Sequence, residues 1–260
     1  MLFIHSKSTT MIHSKLTLNR IFIILFLFTL APEAYSESPY KKTLYNAFIN
    51  REMYKWGTII HAMETGKPIT TVDQKLELIN YYYGYIGFLI GKKQHEDAGI
   101  MINKGEKLIQ QVLQASPRNA TAYAFKGSFI GFRIGISKLR TFSLSRESSS
   151  YIDKANELDP QNIQALIDEG NMLYYSPKFF GGDKEEALRY YSKASKIIEK
   201  NRDTDQNWAY LNLLTTIALA YEKINRPEDA RITYVKILRN EPNYKWVRDV
   251  LYPRLQHKGK

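Results

Sequence analysis

Apolar residues recur along most of the chain at intervals of three and four, which is the spacing of one face of an α-helix. In the clearest stretch, large, small, aromatic and proline positions follow one another in a fixed order: Leu214, Ile217, Ala218, Tyr221, Ala230, Tyr234 and Pro242. A small residue lets two antiparallel helices cross closely, aromatic side chains fill the space between them, and proline ends the second helix. The stretch therefore predicts a pair of packed helices.

Three earlier stretches repeat this pattern with variations. The small or apolar residues that mark them are Leu76, Ala98, Gly127, Ala155, Gly170 and Ala187. Residues 40–65 predict one or two further helices, residues 137–150 a long serine-rich connection, and residues 244–251 a terminal helix. Because no stretch alternates as a strand does, the predicted fold class is all-α, with about four helix pairs plus flanking helices.

Two series of glycines lie at near-helical spacing inside predicted helices: Gly84, Gly87, Gly91, Gly127, Gly131 and Gly135. Glycine destabilises a helix interior by up to about 1 kcal/mol relative to alanine, so these positions predict close contact with another helix. Small residues at this spacing also mediate contacts between membrane helices. Lys126 and Arg133 interrupt the second series and disfavour that alternative.

The helical-pair pattern resembles that of tetratricopeptide-repeat proteins. More narrowly, residues 83–87, 151–160 and 176–187 are similar to a group of exported bacterial repeat proteins. The resemblance implies a right-handed superhelix of stacked antiparallel helix pairs, whose first helices line a concave groove. Such stacks usually bind rather than catalyse. The Gly-Gly-Asp turn at 181–183 also resembles the periplasmic repeat subunit that partners TRAP-type solute transporters.

The resemblance assigns a set of residues to the groove by register: Tyr81, Phe88, Lys92, Ser128, Phe132, Gln164, Asn171, Tyr174, Tyr175, Asn212, Thr215 and Lys223. Aromatic, amide and ammonium groups of this kind suit an extended peptide, and they suit a sugar or a small acid equally. A structured loop is predicted beside the groove, formed by Phe179, Phe180, Gly181, Gly182 and Asp183. We expect one of its two phenylalanines to be buried and the other exposed.

The N-terminal 36 residues have the layout of a secretory signal peptide. Lys7, Lys15 and Arg20 precede an apolar run at 21–31, and small residues around Ser36 favour cleavage after that serine. The run is shorter than the about 20 residues that a membrane span needs, which disfavours an uncleaved anchor. We therefore expect a signal peptide at 1–36, a single repeat domain at 37–260, and a periplasmic or envelope-associated protein.

Signals of catalysis or metal binding are sparse in the sequence. The chain contains no cysteine, and His61, His95 and His257 occur in no metal-binding spacing, so no cofactor or metal is expected. Asp168 and Glu169 point about 100° apart on a helix and do not form a carboxylate pair. The net charge of +11 favours an anionic membrane, polysaccharide or acidic partner over nucleic acid.

These patterns together predict an exported, non-enzymatic adaptor that binds a peptide or partner protein in its groove. The alternative is a periplasmic component that binds a small organic solute for a TRAP-type transporter.

Overall fold

The computed structural model describes residues 39–137 and 141–258, without the side chains of residues 141, 142 and 258. The predicted signal peptide lies outside these residues. Every regular element in the described ranges is helical, as the apolar spacing predicts. None of the helices described there is both long and apolar enough to cross a membrane.

Eleven α-helices follow one another along the described chain. They are α1 (Lys41–Ile49), α2 (Trp56–Thr65), α3 (Val72–Gly91), α4 (His95–Ala115), α5 (Ala120–Ile136), α6 (Thr141–Leu158), α7 (Ile163–Tyr175), α8 (Lys184–Lys200), α9 (Trp208–Lys223), α10 (Pro227–Asn240) and α11 (Tyr252–Lys258). Short 3₁₀ turns at Met53–Lys55 and Lys178–Phe180 and a π-helical turn at Val247–Leu251 complete the chain. Helices α3 to α10 form the four predicted pairs, in which α3, α5, α7 and α9 are the first helices.

Polar side chains fix where the first helices begin. Thr71 accepts a hydrogen bond from the Gln74 amide in a capping box at the start of α3, and asparagines cap the other three first helices. Lys93 and Asn225 adopt φ values of 61° and 60° in the turns that follow α3 and α9. These left-handed residues reverse the chain within a few residues, so α3 and α9 each meet the helix that follows them antiparallel.

The predicted small and aromatic positions lie in the core between the paired helices. Ala218, Ala230 and Tyr234 are fully buried between α9 and α10, and the ring of Tyr191 packs over Gly170 between α7 and α8. First helices also pack on one another, α3 against α5 and α5 against α7. The first helices therefore lie on the inner side of the stack.

Two expectations about particular segments are wrong. The sequence predicts a long connection at residues 137–150, yet α6 begins at Thr141 and continues to Leu158. Ser148 explains part of the difference, because its hydroxyl donates to the Gly127 carbonyl at 2.8 Å and its small side chain lets α6 approach α5. Gly87 and Gly91 have no atom near the position of an added Cβ, so close contact does not require them.

The N-terminal helices connect the first repeat to the last. Trp56 of α2 packs edge-on against Trp208 of α9 with ring centroids 5.1 Å apart, and an added Cβ on Gly84 of α3 would meet both rings. Phe48 of α1 contacts Trp208 at 5.9 Å and Tyr244 at 5.0 Å. The two ends of the stack are thus joined through one aromatic cluster.

Candidate functional site

Polar side chains from α3, α7 and α8 meet on the inner side of the stack around Asp168. Gln164 donates through Nε2 to Asp168 Oδ2 at 2.9 Å, and Asn171 donates through Nδ2 to the Tyr83 hydroxyl at 3.1 Å. The Tyr191 hydroxyl donates to Asn171 Oδ1 at 2.9 Å. We call these five residues the Asp168 cluster. It links the first repeat to the third through Tyr83 and Asn171.

Helix register brings the cluster together. Gln164, Asp168 and Asn171 are four and three residues apart on α7, so they project from one face of that helix. Gly170 lacks a side chain, and the Tyr191 ring occupies the space that a Cβ would fill. Its hydroxyl can therefore reach across to Asn171.

Burial controls the protonation of this cluster. Asp168 is 3% exposed, and burial raises the pKa of its carboxyl to about 7 despite hydrogen bonds that favour the charged form. The Ser128 hydroxyl lies near the carboxyl and lowers its pKa, but within the described residues it forms no hydrogen bond of good geometry. Burial and the Asp168 charge both raise the pKa of Tyr83. Near neutral pH the cluster is close to a change in charge.

Two residues assigned to the groove lie in the core. Tyr81 is 3% exposed and packs against Trp56 with ring centroids 5.8 Å apart, because α2 covers this face of α3. Thr215 is 1% exposed, and its hydroxyl donates to the carbonyl of Leu211. The register assigns both side chains to a surface that the chain itself covers, so neither is available to a partner.

The other residues assigned to the groove remain at least partly accessible. Those that are half-buried are Phe88, Ser128, Phe132, Gln164, Asn171, Tyr174 and Asn212. Lys92, Tyr175 and Lys223 are exposed, and each stands at or just after the C-terminal end of a first helix. Their role in binding stays a prediction.

The turn between α7 and α8 carries a group of exposed aromatic side chains. Tyr175, Phe179 and Phe180 are 74%, 91% and 68% exposed. The Tyr174 and Tyr175 rings meet edge-on at 4.9 Å, and the two phenylalanine rings at 5.2 Å. We call these four residues the aromatic turn. The expectation that one phenylalanine is buried is wrong, because the Lys178–Phe180 turn directs both outward.

The backbone of this turn is held in place by several hydrogen bonds. The amides of Phe180 and Gly182 donate to the Pro177 carbonyl at 2.9 and 3.1 Å, and the Asp183 amide donates to the Leu173 carbonyl at 3.0 Å. Gly181 has a φ of +87°, and a Cβ on Gly182 would collide with the Ser176 carbonyl, so both positions require glycine. The segment therefore presents its aromatic rings from a defined conformation.

Charged groups stabilise the end of the turn. Asp183 Oδ1 accepts hydrogen bonds from the Glu185 and Glu186 amides at 2.9 and 3.0 Å, and these bonds hold the pKa of its carboxyl below the ordinary value. Asp183 is thus the N-cap of α8. The Lys184 ammonium lies over the Tyr174 ring, 5.8 Å from its centroid.

The Asp168 cluster is not predicted by the sequence analysis. The sequence pattern that could have indicated it is the placement of Gln164, Asp168 and Asn171 on one face of a helix. If that face is buried, these three polar side chains need hydrogen-bond partners. Tyr83 falls on the apolar face of its predicted helix, and its hydroxyl partner is distant in sequence. Among the described residues, no group of three or more histidines and carboxylates is arranged to hold a metal ion.

The sequence matches no protein-family profile and no curated protein. Solved structures do match it. TTC0263, a thermophilic TPR protein from Thermus thermophilus, is 12% identical with a TM-score of 0.54, and the match covers 84% of this chain and 99% of that one. The HusA haemophore from Porphyromonas gingivalis is 13% identical with a TM-score of 0.57, covering 74% of this chain and 96% of that one.

These likenesses establish the fold. The protein has the all-α, tetratricopeptide-type architecture of stacked helix pairs. The comparisons give no support to the resemblance to the TRAP-associated subunit.

Proposed function

We propose that this protein is an exported, non-catalytic scaffold that binds a partner protein through the aromatic turn and the adjoining edge of the first helices. The observation that carries this proposal is the exposure of three large aromatic side chains on a hydrogen-bonded turn of a repeat fold. Exposed apolar groups of this size mark interaction sites, and tyrosine and phenylalanine are enriched in protein interfaces.

The edge of the stack suits a partner better than the deep groove does. Trp56 and the Asp168 cluster occupy much of the inner side, and Tyr81 and Thr215 are covered. The first helices run in the same direction, because each is followed by an antiparallel second helix. Their C-terminal ends therefore share one edge, where Lys92 and Lys223 lie with the aromatic turn.

The chemistry of this edge indicates the kind of partner. Aromatic rings contact apolar side chains, and lysine ammonium groups meet carboxylates. Lys92 also lies 5.9 Å from the centroid of the Phe88 ring, next to the end of α3. We therefore propose a peptide segment that combines apolar and acidic residues. The predicted signal peptide favours a partner in the cell envelope.

A triple variant of the aromatic turn tests the proposal. Tyr175→Ser, Phe179→Ser and Phe180→Ser remove the exposed rings and leave the buried residues intact. The matched control is Tyr54→Ser, Ile100→Ser and Ile232→Ser, which removes three other exposed apolar side chains. Both proteins should keep the native circular dichroism spectrum and melting temperature, since exposed substitutions usually change stability by less than about 0.5 kcal/mol.

Affinity capture from envelope extract then separates the outcomes. We expect the native chain and the control to retain the same partner, and the aromatic-turn variant to lose it. A partner that the variant still retains, or that the control loses equally, would contradict binding through this turn.

A second candidate is a planar, largely apolar small molecule such as haem. The similar HusA structure is that of a haemophore, and here Tyr175, Phe179 and Phe180 form exposed flat surfaces beside Lys178 and Lys184. Titration with haemin, followed by its absorption spectrum, tests this candidate. A saturable spectral change that the aromatic-turn variant lacks would favour it, and an unchanged spectrum would exclude it.

A further inference from the structure

A second surface, separate from the aromatic turn, runs along α8. It is a groove of about 760 Å³ between α8, the α6–α7 connection and the α9–α10 turn. Four cationic residues of α8 line it, namely Arg189, Lys193, Lys196 and Lys200, and Arg226 lies across from them. Glu185 is the single carboxylate among the described lining residues. We call this surface the basic groove.

The cations of α8 form a straight row. Their spacing of four, three and four residues keeps them within about 60° of one another around the helix axis. The row extends for about 16 Å, at 1.5 Å per residue. A row of this length presents regularly spaced positive charge to an elongated ligand.

Two of these cations have no partner in the described chain. Arg189 pairs with Glu186, Arg226 pairs with Asp229 at 2.9 Å, and Lys193 donates to the Pro160 carbonyl at 2.9 Å. Lys196 and Lys200 are exposed and form no hydrogen bond or ion pair with any described residue. Their positive charge is therefore available to a ligand.

The floor and walls of the groove are not purely ionic. Leu188 is buried and Ile197 is half-buried between the cations, while Gln161 and Ser192 offer amide and hydroxyl groups. Amide and hydroxyl groups of this kind can bond the N–H and C=O groups of a peptide.

From this surface we infer that the basic groove binds an acidic, extended segment of a partner protein. Alternate side chains of an extended peptide are about 6.6 Å apart, close to the rise of about 4.5–6 Å between successive cations of α8. Three acidic residues at alternate positions therefore span most of the row.

Two other anionic partners fit the groove less well. A membrane surface is flat, and the apolar residues here lie in the floor of a groove, where they cannot insert into lipid. Single-stranded nucleic acid binds by stacking its bases on aromatic rings. Tyr221, the one aromatic residue that lines this groove in the described chain, is already covered by Arg226, whose guanidinium lies 4.9 Å from the ring centroid.

Fluorescence anisotropy of the full chain with labelled peptides tests the inference. The probe is a peptide of about seven residues in which glutamate alternates with serine, and the reference peptide carries glutamine in place of glutamate. The test variant is Lys196→Glu with Lys200→Glu. The control variant is Lys67→Glu with Lys107→Glu, which makes the same charge change at exposed lysines outside the groove.

We expect the acidic peptide to bind more tightly than the glutamine peptide and to lose affinity as ionic strength rises. The Lys196 and Lys200 variant should weaken binding at least tenfold, and the control variant should change it less than threefold. Equal affinity for both peptides, or equal weakening by both variants, would overturn the inference. So would binding of labelled single-stranded DNA or heparin, weakened by the Lys196 and Lys200 substitutions, while the acidic peptide fails to bind. The aromatic-turn variant should bind the acidic peptide as tightly as the native chain does, so the two proposals can fail independently.

Discussion

The surroundings of Asp168 differ strongly from those of an aspartate in water. It is 3% exposed, and its neighbours in the cluster are neutral amide and hydroxyl groups. Burial favours the protonated carboxyl and raises its pKa to about 7. Because the cluster joins α3 to α7 through Tyr83 and Asn171, we expect the charge of Asp168 to change the stability of the contact between the first and third repeats.

The pH dependence of the free energy of unfolding should reveal the titration of the Asp168 carboxyl. Folding raises its pKa from an ordinary value of about 3.9 to about 7, so between these values the folded state holds the proton more tightly. The contribution of the protonated Asp168 to the free energy of unfolding is complete below about pH 4 and is lost as the pH rises to about 7. Over this range the free energy of unfolding falls by at most about 1.4 kcal/mol per pH unit.

The Asp168→Asn substitution should flatten this slope, since asparagine resembles the protonated carboxyl. Urea unfolding at several pH values between 5 and 8 measures the effect. Asp153→Asn, which changes an exposed carboxylate of α6, should keep the native slope. If the free energy of unfolding of the Asp168→Asn variant keeps the native dependence on pH, another titrating group causes that dependence.

Two helical glycines should respond oppositely to alanine. A Cβ on Gly127 would lie 2.8 Å from the Ser148 carbonyl, a backbone atom that cannot move away, so Gly127→Ala should destabilise by about 1–3 kcal/mol. Gly87 has no atom within 4 Å of that position, so Gly87→Ala should stabilise by about 0.5–1 kcal/mol. Urea unfolding of both variants tests the pair, and destabilisation of both by the same amount would contradict the packing described.

At the level of the elements, α1 and α2 precede the four helix pairs and connect the first pair to the last. The apolar spacing of residues 40–65 predicts amphipathic helices, and their helical state is confirmed. Their place is not predictable, because apolar spacing identifies the buried face of a helix without identifying the surface that covers it. Trp56 and Trp208, which meet at 5.1 Å, are separated by most of the domain in sequence.

A double-mutant cycle tests this closure. Trp56→Leu and Trp208→Leu should each destabilise, and the double variant should differ from their sum by about 0.5–1.5 kcal/mol, as expected for aromatic rings in edge contact. Trp56→Leu combined with Trp246→Leu serves as the control and should be additive within about 0.5 kcal/mol. Unfolding in guanidinium gives the four free energies of each cycle. Additivity of the Trp56 and Trp208 substitutions would mean that the two helices do not meet.

The turn between α7 and α8 shows where local sequence rules succeed and where they end. The sequence predicts a structured loop here, and the left-handed backbone at Gly181 and the Asp183 cap that form it depend on neighbouring residues alone. Whether Phe179 and Phe180 are buried depends on whether another part of the chain packs against them. The local sequence does not predict such a contact. Tyr81 is the converse case, since α2 covers a position that the repeat register leaves open.

At the scale of the whole molecule, the fold follows from repetition. Each helix pair buries its small and aromatic residues against its neighbours, and the repeated pattern of these residues therefore predicts the architecture that the solved structures share. The surface that is accessible to a partner cannot be predicted from the repeated pattern. It depends on which inner positions the chain covers with its own N-terminal helices and polar cluster.

Processing of the N-terminus provides a further prediction at this scale. If residues 1–36 act as a signal peptide, the protein recovered from its native cells should begin at Glu37 and lie in an envelope or secreted fraction. Intact-mass measurement of the recovered protein checks this. Replacing two residues of the apolar run, Ile23→Asp with Leu25→Asp, should leave the full-length chain inside the cell. Recovery of a native protein that still carries residues 1–36 would contradict cleavage.

Site-specific photocrosslinking in living cells determines whether a partner protein lies against the aromatic turn. A photoreactive phenylalanine analogue is placed at Phe179 in one protein and at Ile232, another exposed apolar position, in the control. We expect a discrete crosslinked product from position 179 and none from position 232, because we propose that the partner binds the aromatic turn. Products from both positions in equal amount, or from position 232 alone, would contradict it.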